Sequence, residues 1–439
     1  MAPPDRRRSR HGAGERGAPA ASARPAAPFN LWLIVLRALL VFCGCVLVWI
    51  SVGLTSGLMG VQSSCAAPLG FACTVAESNA QAAALDAKSY VESISNPQPR
   101  LLAAARQAAT QALAREPGNV AAVRTLGLLA SISNDQRRGE QWFSYSQALS
   151  RRDQPTQLWL IERRVALGDI AGALVHYDRA LRVSQASRDL LLPTLARAAD
   201  DQAIARPLAR IVVRRPSWWT NLVDAMVHEG QSPASLAIVA RALRLDAAQP
   251  GDRWWLGGIL DRLVDRGAYA QAFAVYQDAS HQPTTAFVGS LAFATGGVGP
   301  FEWKIASDAD LSGVVQRRPR SDRLALSLSS AANASGVIAR RMLLLPPGRY
   351  RLTLEAGSIS GDVAEHPVVA LSCARGSDTA TELVGIVLPA LANMGGRLVR
   401  DVVVPGGCPA QWLSVTVRPR NFTQQDVEPW IGFIDVKHQ

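Results

Sequence analysis

Hydrophobic residues are spaced in three different ways along this chain, and each spacing predicts a different kind of element. Ala38 to Val61 runs for 24 residues without a charge, long enough at about 1.5 Å per residue to cross a bilayer core of about 30 Å with some tilt. That exceeds a signal-peptide core, which is typically about 7 to 15 residues. From Thr74 to His281, Ala and Leu recur at intervals of three and four, as in helices that bury one face. Beyond His281 the period falls to two, with alternating or β-branched runs between Gly and Pro residues that predict strands.

Within the helical stretch a pair of small or aliphatic residues keeps returning: Ala112-Leu113, Ala148-Leu149, Ala180-Leu181, Ile211-Val212, Ala242-Leu243 and, degraded, Ala279-Ser280. The spacings of 36, 32, 31, 31 and 37 lie close to the roughly 34-residue period of a two-helix repeat. Asn96-Pro97 predicts a turn, Pro99 suits the first position of a helix over Arg100 to Arg115, and Glu116-Pro117-Gly118-Asn119 predicts its end. In the β region the predicted strands are Phe301 to Ile305, Arg323 to Ser329, Val337 to Leu345, Gly348 to Glu355, Val368 to Ser372, Thr381 to Val387, Arg397 to Val404, Gln411 to Val417 and Trp430 to Val436. About nine strands in this length favour a two-sheet sandwich or jelly roll.

The predicted organisation is therefore multidomain: a disordered basic tail at 1–28, a transmembrane helix at 29–61, a linker at 62–73, helical repeats at 74–281 and a β-sandwich at 282–439. A net charge of +11 over 439 residues suggests nucleic acid until it is divided. Arg6, Arg7, Arg8, Arg10, Arg16, Arg24 and Arg37 outnumber Asp5 and Glu15 in the first 37 residues, so the remainder carries only a thin positive excess and no basic stripe. Nucleic acid is excluded as a partner on that ground. With arginines before the span and the next basic residue only at Lys88, the tail is expected in the cytoplasm and the bulk across the membrane. In bacteria this means an inner-membrane protein with one span and a periplasmic body.

Cysteine usage fits an exported body. Cys43 and Cys45 fall in the span, while Cys65, Cys73, Cys373 and Cys408 lie beyond it, where disulfides persist. Cys373 follows the strand-like Val368 to Ser372 and Cys408 precedes another strand, so a Cys373–Cys408 bridge is expected. Cys65 and Cys73 flank a loop with Pro68 and Gly70 that can close on itself or leave two free thiols. A lipoprotein reading of Cys65 is disfavoured by Gln62, where a lipobox carries an aliphatic residue.

Three places resemble tetratricopeptide (TPR) repeats: Ala112-Leu113 with Glu116-Pro117; Gly168-Asp169, Ala173, Tyr177, Ala180 and Leu181; and Gly267, Tyr269, Ala272, Tyr276 and Ala279. The resemblance implies an all-α TPR-like helical solenoid over 74–281 that docks protein partners. Downstream, Pro300-Phe301-Glu302-Trp303, Leu344 to Tyr350 and Ile434-Asp435-Val436 resemble carbohydrate-binding-module-like jelly rolls. Span, repeats and jelly roll together look like envelope proteins associated with bacterial exopolysaccharide assembly, which implies polysaccharide as a further ligand.

Under that resemblance Trp303, Tyr350, Trp412 and Trp430 are candidate sugar platforms, since a flat ring stacks on the apolar face of a pyranose. Among the tryptophans of the helical region, Trp219 and Trp255 are the candidates for an exposed partner-binding surface, because each adjoins another Trp that can fill the core. The competing reading is that these tryptophans simply pack helix against helix. No catalytic residue, metal set or cofactor is expected: the six histidines show no ligand spacing, and no phosphate loop, dinucleotide fingerprint or nucleophile motif appears. Asp308 and Asp310 alone make a poor calcium site. A glycan-active enzyme within the sandwich stays the alternative to a scaffold, because a glycosidase needs only two facing carboxylates.

Overall fold

The computed structural model describes residues 38–48, 99–281, 289–294, 296–318, 322–419 and 428–439. The tail at 1–28, residues 49–61 of the apolar run, the linker with Cys65 and Cys73, and residues 74–98 lie outside the described residues. Residues 38–48 are helical and exposed, with Cys43 and Cys45 as free thiols. Among the described residues no helix is long and apolar enough to cross a membrane.

The chain divides into two compact units, one ending at Ile132 and the other running from Ser133 to Gln439. In the first, α1 (Pro99–Arg115) packs on α2 (Val120–Ile132) through Ala109, Ala112 and Ala122. Pro99 opens α1, where its missing N–H has no partner to lose. Asn119 starts α2 by accepting a 3.0 Å hydrogen bond from the backbone N–H of Ala122.

The second unit begins with nine described helices: α3 (Gln136–Leu149), α4 (Gln154–Ala166), α5 (Ile170–Val183), α6 (Gln185–Ala198), α7 (Gln202–Val212), α8 (Trp219–His228), α9 (Pro233–Leu243), α10 (Pro250–Asp265) and α11 (Tyr269–Ser280). Short polar residues start them. The side chains of Asp135, Asp153, Asp169, Ser184, Asp201 and Ser232 each accept a backbone N–H from the first helical turn. Gly168 and Gly267 supply the left-handed φ of +70° and +69° that turns α4 into α5 and α10 into α11. Every recurring small pair lies in the last turns of an odd-numbered helix, where Ala180, Leu181, Val212, Leu243 and Ala279 are buried. Odd helices pack on odd ones (α5 on α7, α7 on α9, α9 on α11) and even on even (α6 on α8, α8 on α10), so the pairs stack in two layers.

The sandwich follows with eleven described strands: β1 (Gly289–Leu291), β2 (Lys304–Ile305), β3 (Leu311–Arg317), β4 (Leu324–Ser330), β5 (Gly336–Leu343), β6 (Gly348–Gly357), β7 (Val368–Arg375), β8 (Asp378–Val387), β9 (Gly396–Val404), β10 (Gln411–Val417) and β11 (Trp430–His438). One antiparallel sheet runs β3-β4-β11-β6-β9 with β1 also on β11; the other runs β2-β5-β10-β7-β8. Alternation places Tyr350, Leu352, Leu354 and Ala356 of β6 inside, facing residues such as Leu413 and Val415 of β10 across the core. The sequence pattern omitted β1 and β3, a three-residue strand and an edge strand whose burial barely alternates. Asp308, read from sequence as a weak calcium candidate, uses its carboxylate to accept the backbone N–H groups of Asp310 and Leu311.

One apolar core runs without interruption from Ile161 in α4 to Val436 in β11, so helices and sandwich share an interior. Their junction is α11 against the chain entering the sandwich. Phe301 packs edge-on to Phe273 at 5.3 Å and against Tyr276 at 5.3 Å between ring centres. The Tyr276 hydroxyl donates 2.6 Å to Glu302, whose other oxygen accepts the Val298 N–H at 2.9 Å. Burial, then the Glu302 carboxylate, push the Tyr276 phenol far above its usual range, so it stays a donor. From the sheet that β2 also joins, the β7–β8 turn reaches back: the Gly376 N–H donates 2.8 Å to the Tyr269 hydroxyl and Ser377 donates to Asp265.

Cys373 at the end of β7 is bonded to Cys408 just ahead of β10. The bridge closes a separation of 35 residues, so reduction is expected to cost about 2 to 4 kcal/mol. Urea unfolding of the purified chain with and without reductant, followed by the sandwich tryptophans, measures it. An unchanged midpoint would show that the strand ladder alone holds β7 and β10.

Candidate functional site

The residues that sequence reasoning nominated as sugar platforms are all interior. Trp303, Tyr350, Trp412 and Trp430 are each at most 4 % exposed, and this corrects their assignment. The Trp303 indole N–H donates to the Leu291 carbonyl and its ring packs on Phe293. Tyr350 turns inward on β6 and its hydroxyl donates 2.9 Å to the Pro346 carbonyl, which pins the turn ahead of the strand. Trp412 and Trp430 have a protein guanidinium where a sugar would stack: Arg340 lies 4.7 Å from the Trp412 ring centre and Arg318 lies 4.6 Å from that of Trp430. The Trp430 ring sits over the Cα positions of Gly357 and Gly395, which have no Cβ to exclude it.

The helical tryptophans need a smaller correction. Trp218 is buried and donates 2.9 Å to Asp178, leaving Trp219 half-buried. In the second pair it is Trp254 that is open, at 69 % exposure, while Trp255 is half-buried. The helical period explains the difference. Leu256, Ile259, Leu260 and Leu263 form the buried stripe of α10; Trp255 stands on its margin and Trp254 beyond it.

These rings form a ladder leading out of the core. Arg215 sits 5.7 Å from the Trp219 ring centre, Trp219 lies edge-on to Trp255 at 5.7 Å, and Trp255 is perpendicular to Trp254 at 4.4 Å. Its base is rigid. Arg215 grips the buried Asp252 carboxylate through two bonds of 3.0 and 2.7 Å and donates to the carbonyls of Leu243 and Arg244. A bidentate pair of this kind fixes position as well as charge, and it does so at the first turn of α10.

The exposed end of the ladder opens into a groove of about 600 Å³ between α8 and α10. Val223, Asp224, Val227 and His228 line it from α8; Trp254, Trp255, Gly258, Asp261, Arg262 and Asp265 line it from α10. Both sets repeat at helical intervals, so each is a single face. The sandwich fixes its far end, where Ser377 bonds Asp265 and the Lys304 ammonium lies 3.8 Å from Asp261. Arg262 donates 3.1 Å to the Gly230 carbonyl and so ties α10 to the end of α8.

Two features of this groove oppose stability. Gly257 and Gly258 stand consecutively in the middle of α10, and no heavy atom outside the helix's own turns lies within 4 Å of where their Cβ atoms would be. Glycine at such positions costs about 1 kcal/mol each relative to alanine, with no packing gain among the described residues. Their effect is to leave space beside Trp254. The second is Asp261, whose carboxyl is held above the usual range by desolvation, against the lowering influence of Lys304 and Arg340 and with a further raising contribution from Asp265.

The described residues contain no cluster of His, Cys, Asp and Glu able to hold a metal ion. No protein-family model matches the chain, and no curated protein matches it in sequence. Solved structures give shallow likenesses. The enzymatically active domain of tailspike protein 4 of bacteriophage CBA120 aligns at 13 % identity and TM-score 0.25 over 34 % of this chain and 22 % of its own. A CBM4 module aligns at 12 % identity and TM-score 0.24 over 36 % and 99 %. The N-terminal tandem CBM22 domain of Paenibacillus barcinonensis Xyn10C aligns at 13 % identity and TM-score 0.25 over 36 % and 52 %. Likenesses this shallow carry no argument about function, and the sandwich rests on its own strand order.

The raised Asp261 carboxyl fixes the sign of a pH effect. A folded pKa above the unfolded one means that Asp261 favours the folded state most when protonated, and that this contribution is lost as pH rises through the folded value. Asp261→Asn is therefore expected to unfold at no lower urea concentration than the parent at pH 7, with the parent gaining on the variant as pH falls toward 4. A variant clearly weaker at pH 7 would make Asp261 a stabilising partner of Lys304.

Proposed function

We propose that this chain is a docking protein of a bacterial envelope, held by an N-terminal membrane span, that captures a protein partner in the groove between α8 and α10. The observation that carries this reading is Trp254. A large aromatic side chain, more than two-thirds exposed, borders a groove whose lining includes the unpacked Gly258 and which is braced behind by Arg215 and Asp252. Exposed tryptophans on rigid elements are the residues that dominate interface energies. The stacked helix pairs, TPR-like in signature, suit the same role, because such arrays present side chains from successive units along one face.

The membrane anchor and the periplasmic placement of the body rest on the uncharged run from Ala38 to Val61 and the arginines before it. A part in exopolysaccharide assembly rests on the resemblance of the overall layout. The proposed role is non-enzymatic, with a glycan-active sandwich as the alternative. For glycan contact the sandwich would have to use surfaces other than its four interior rings.

The test is to isolate the full-length chain from its own cells and identify the envelope proteins that accompany it, alongside Trp254→Ala and Gly258→Leu. Both variants are expected to lose the partner at least tenfold, since truncating an interface tryptophan costs about 2 kcal/mol or more, while circular dichroism stays parental and melting is not lowered, Gly258→Leu gaining helix propensity. Undiminished capture by both variants would move docking away from this groove. Incubation of the purified chain with the cell's own exopolysaccharide separates the alternative, because chain cleavage would identify an enzyme.

A further inference from the structure

The groove has a charge that the rest of the molecule does not share. Beyond residue 37 the chain carries only a thin positive excess, yet the groove lining presents three carboxylates, Asp224, Asp261 and Asp265, against the single guanidinium of Arg262. Arg262 is turned to the Gly230 carbonyl, and His228 lies beside Asp224 with its Nδ1 3.4 Å from the carboxylate. The Asp261 carboxylate is under-compensated: Lys304 approaches only to 3.8 Å, and desolvation outweighs Lys304 and Arg340, so its pKa is raised. Beside these acids stand the open face of Trp254 and the edge of Trp255. An indole face next to carboxylates is a receptor for a cation on an apolar stem, because the ring quadrupole and the carboxylates attract the same charge while the stem covers the ring.

Resting on the docking reading, we propose that the segment captured in this groove is basic, and that it places an arginine or lysine side chain on Trp254 with its charge facing Asp224 and Asp261. Arginine fits the site better than lysine, since a planar guanidinium stacks on an indole and offers a fork of donors to a carboxylate. An acidic segment is refused twice, by the groove carboxylates and by the ring face. Local charge complementarity thus sets the chemistry of the segment that lands here.

The probe is the fluorescein-labelled peptide acetyl-Ala-Arg-Leu-Arg-Ala-amide, titrated by polarisation against the full-length chain in detergent, with citrulline and glutamate versions for comparison. Citrulline keeps the shape of arginine and removes its charge. The arginine peptide is expected to bind at least tenfold more tightly than the citrulline peptide, to weaken as salt rises from 50 to 300 mM, and to lose tenfold or more in both Trp254→Ala and the double variant Asp224→Asn with Asp261→Asn. Binding of the two peptides within twofold of each other, or binding unaltered in the double variant, overturns the proposal. So does an absence of peptide binding while the native partner is still captured through Trp254, a result that leaves the docking reading standing. If Trp254→Ala also leaves partner capture intact, it is the docking reading that has failed.

Discussion

Everything distinctive about this molecule depends on the wedge of Phe301 between Phe273 and Tyr276. Burying three aromatic rings at one junction removes enough apolar surface to contribute about 2 to 3 kcal/mol each, and the Tyr276–Glu302 bond fixes their register. Without it, the helices and the sandwich would be joined mainly by the polar contacts of Tyr269, Asp261 and Asp265. With it, α11 is part of the sandwich's interior, α10 is held through α11 and through Ser377, and the α8–α10 groove acquires a fixed far wall. The sandwich thus acts on the groove mechanically, and the disulfide that ties β7 to β10 steadies the turn that reaches α10.

That frame accounts for where stability has been given up. Helix α10 carries its buried Leu and Ile stripe and the Arg215–Asp252 clamp on one side, and on the other two adjacent glycines, an exposed tryptophan and a half-desolvated carboxylate. Local rules broken on one face and satisfied on the opposite face mark a surface shaped for something other than folding. The cost is tolerable because the clamp and the shared core hold α10 in place from behind.

Much of the architecture was legible in the sequence, and the reasons are local. The small pairs from Ala112-Leu113 to Ala242-Leu243 mark helix ends because close helix approach needs small side chains there. Strands such as Gln411–Val417 alternate because one face is buried. What could not be read was occupancy. Alternation puts Trp412 and Trp430 in strands, but Arg340 and Arg318, the groups that cover their rings, come from residues about 70 and 110 positions earlier in the chain. Adjacency favours Trp255 over Trp254 for no physical reason, because it says only that one of two neighbours is buried and the helix phase alone says which. Pro193 and Pro207 lie inside α6 and α7, where tertiary packing overrides propensity. A signal for the groove was present in Gly257-Gly258, since paired glycines in the middle of a helical stretch have no propensity reason to be there.

The central claim is that the α8–α10 face is where this protein meets its partner, and a photo-crosslinker placed by amber suppression tests it in living cells. With the probe in place of His228, an exposed residue of the groove lining that leaves Trp254 intact, irradiation should yield a single dominant adduct, with the cross-linked peptide mapping to one protein. The probe at Val165, exposed on α4 away from the groove, should yield none. Equal adducts from both positions, or none from position 228 while the partner still co-purifies, would contradict the account.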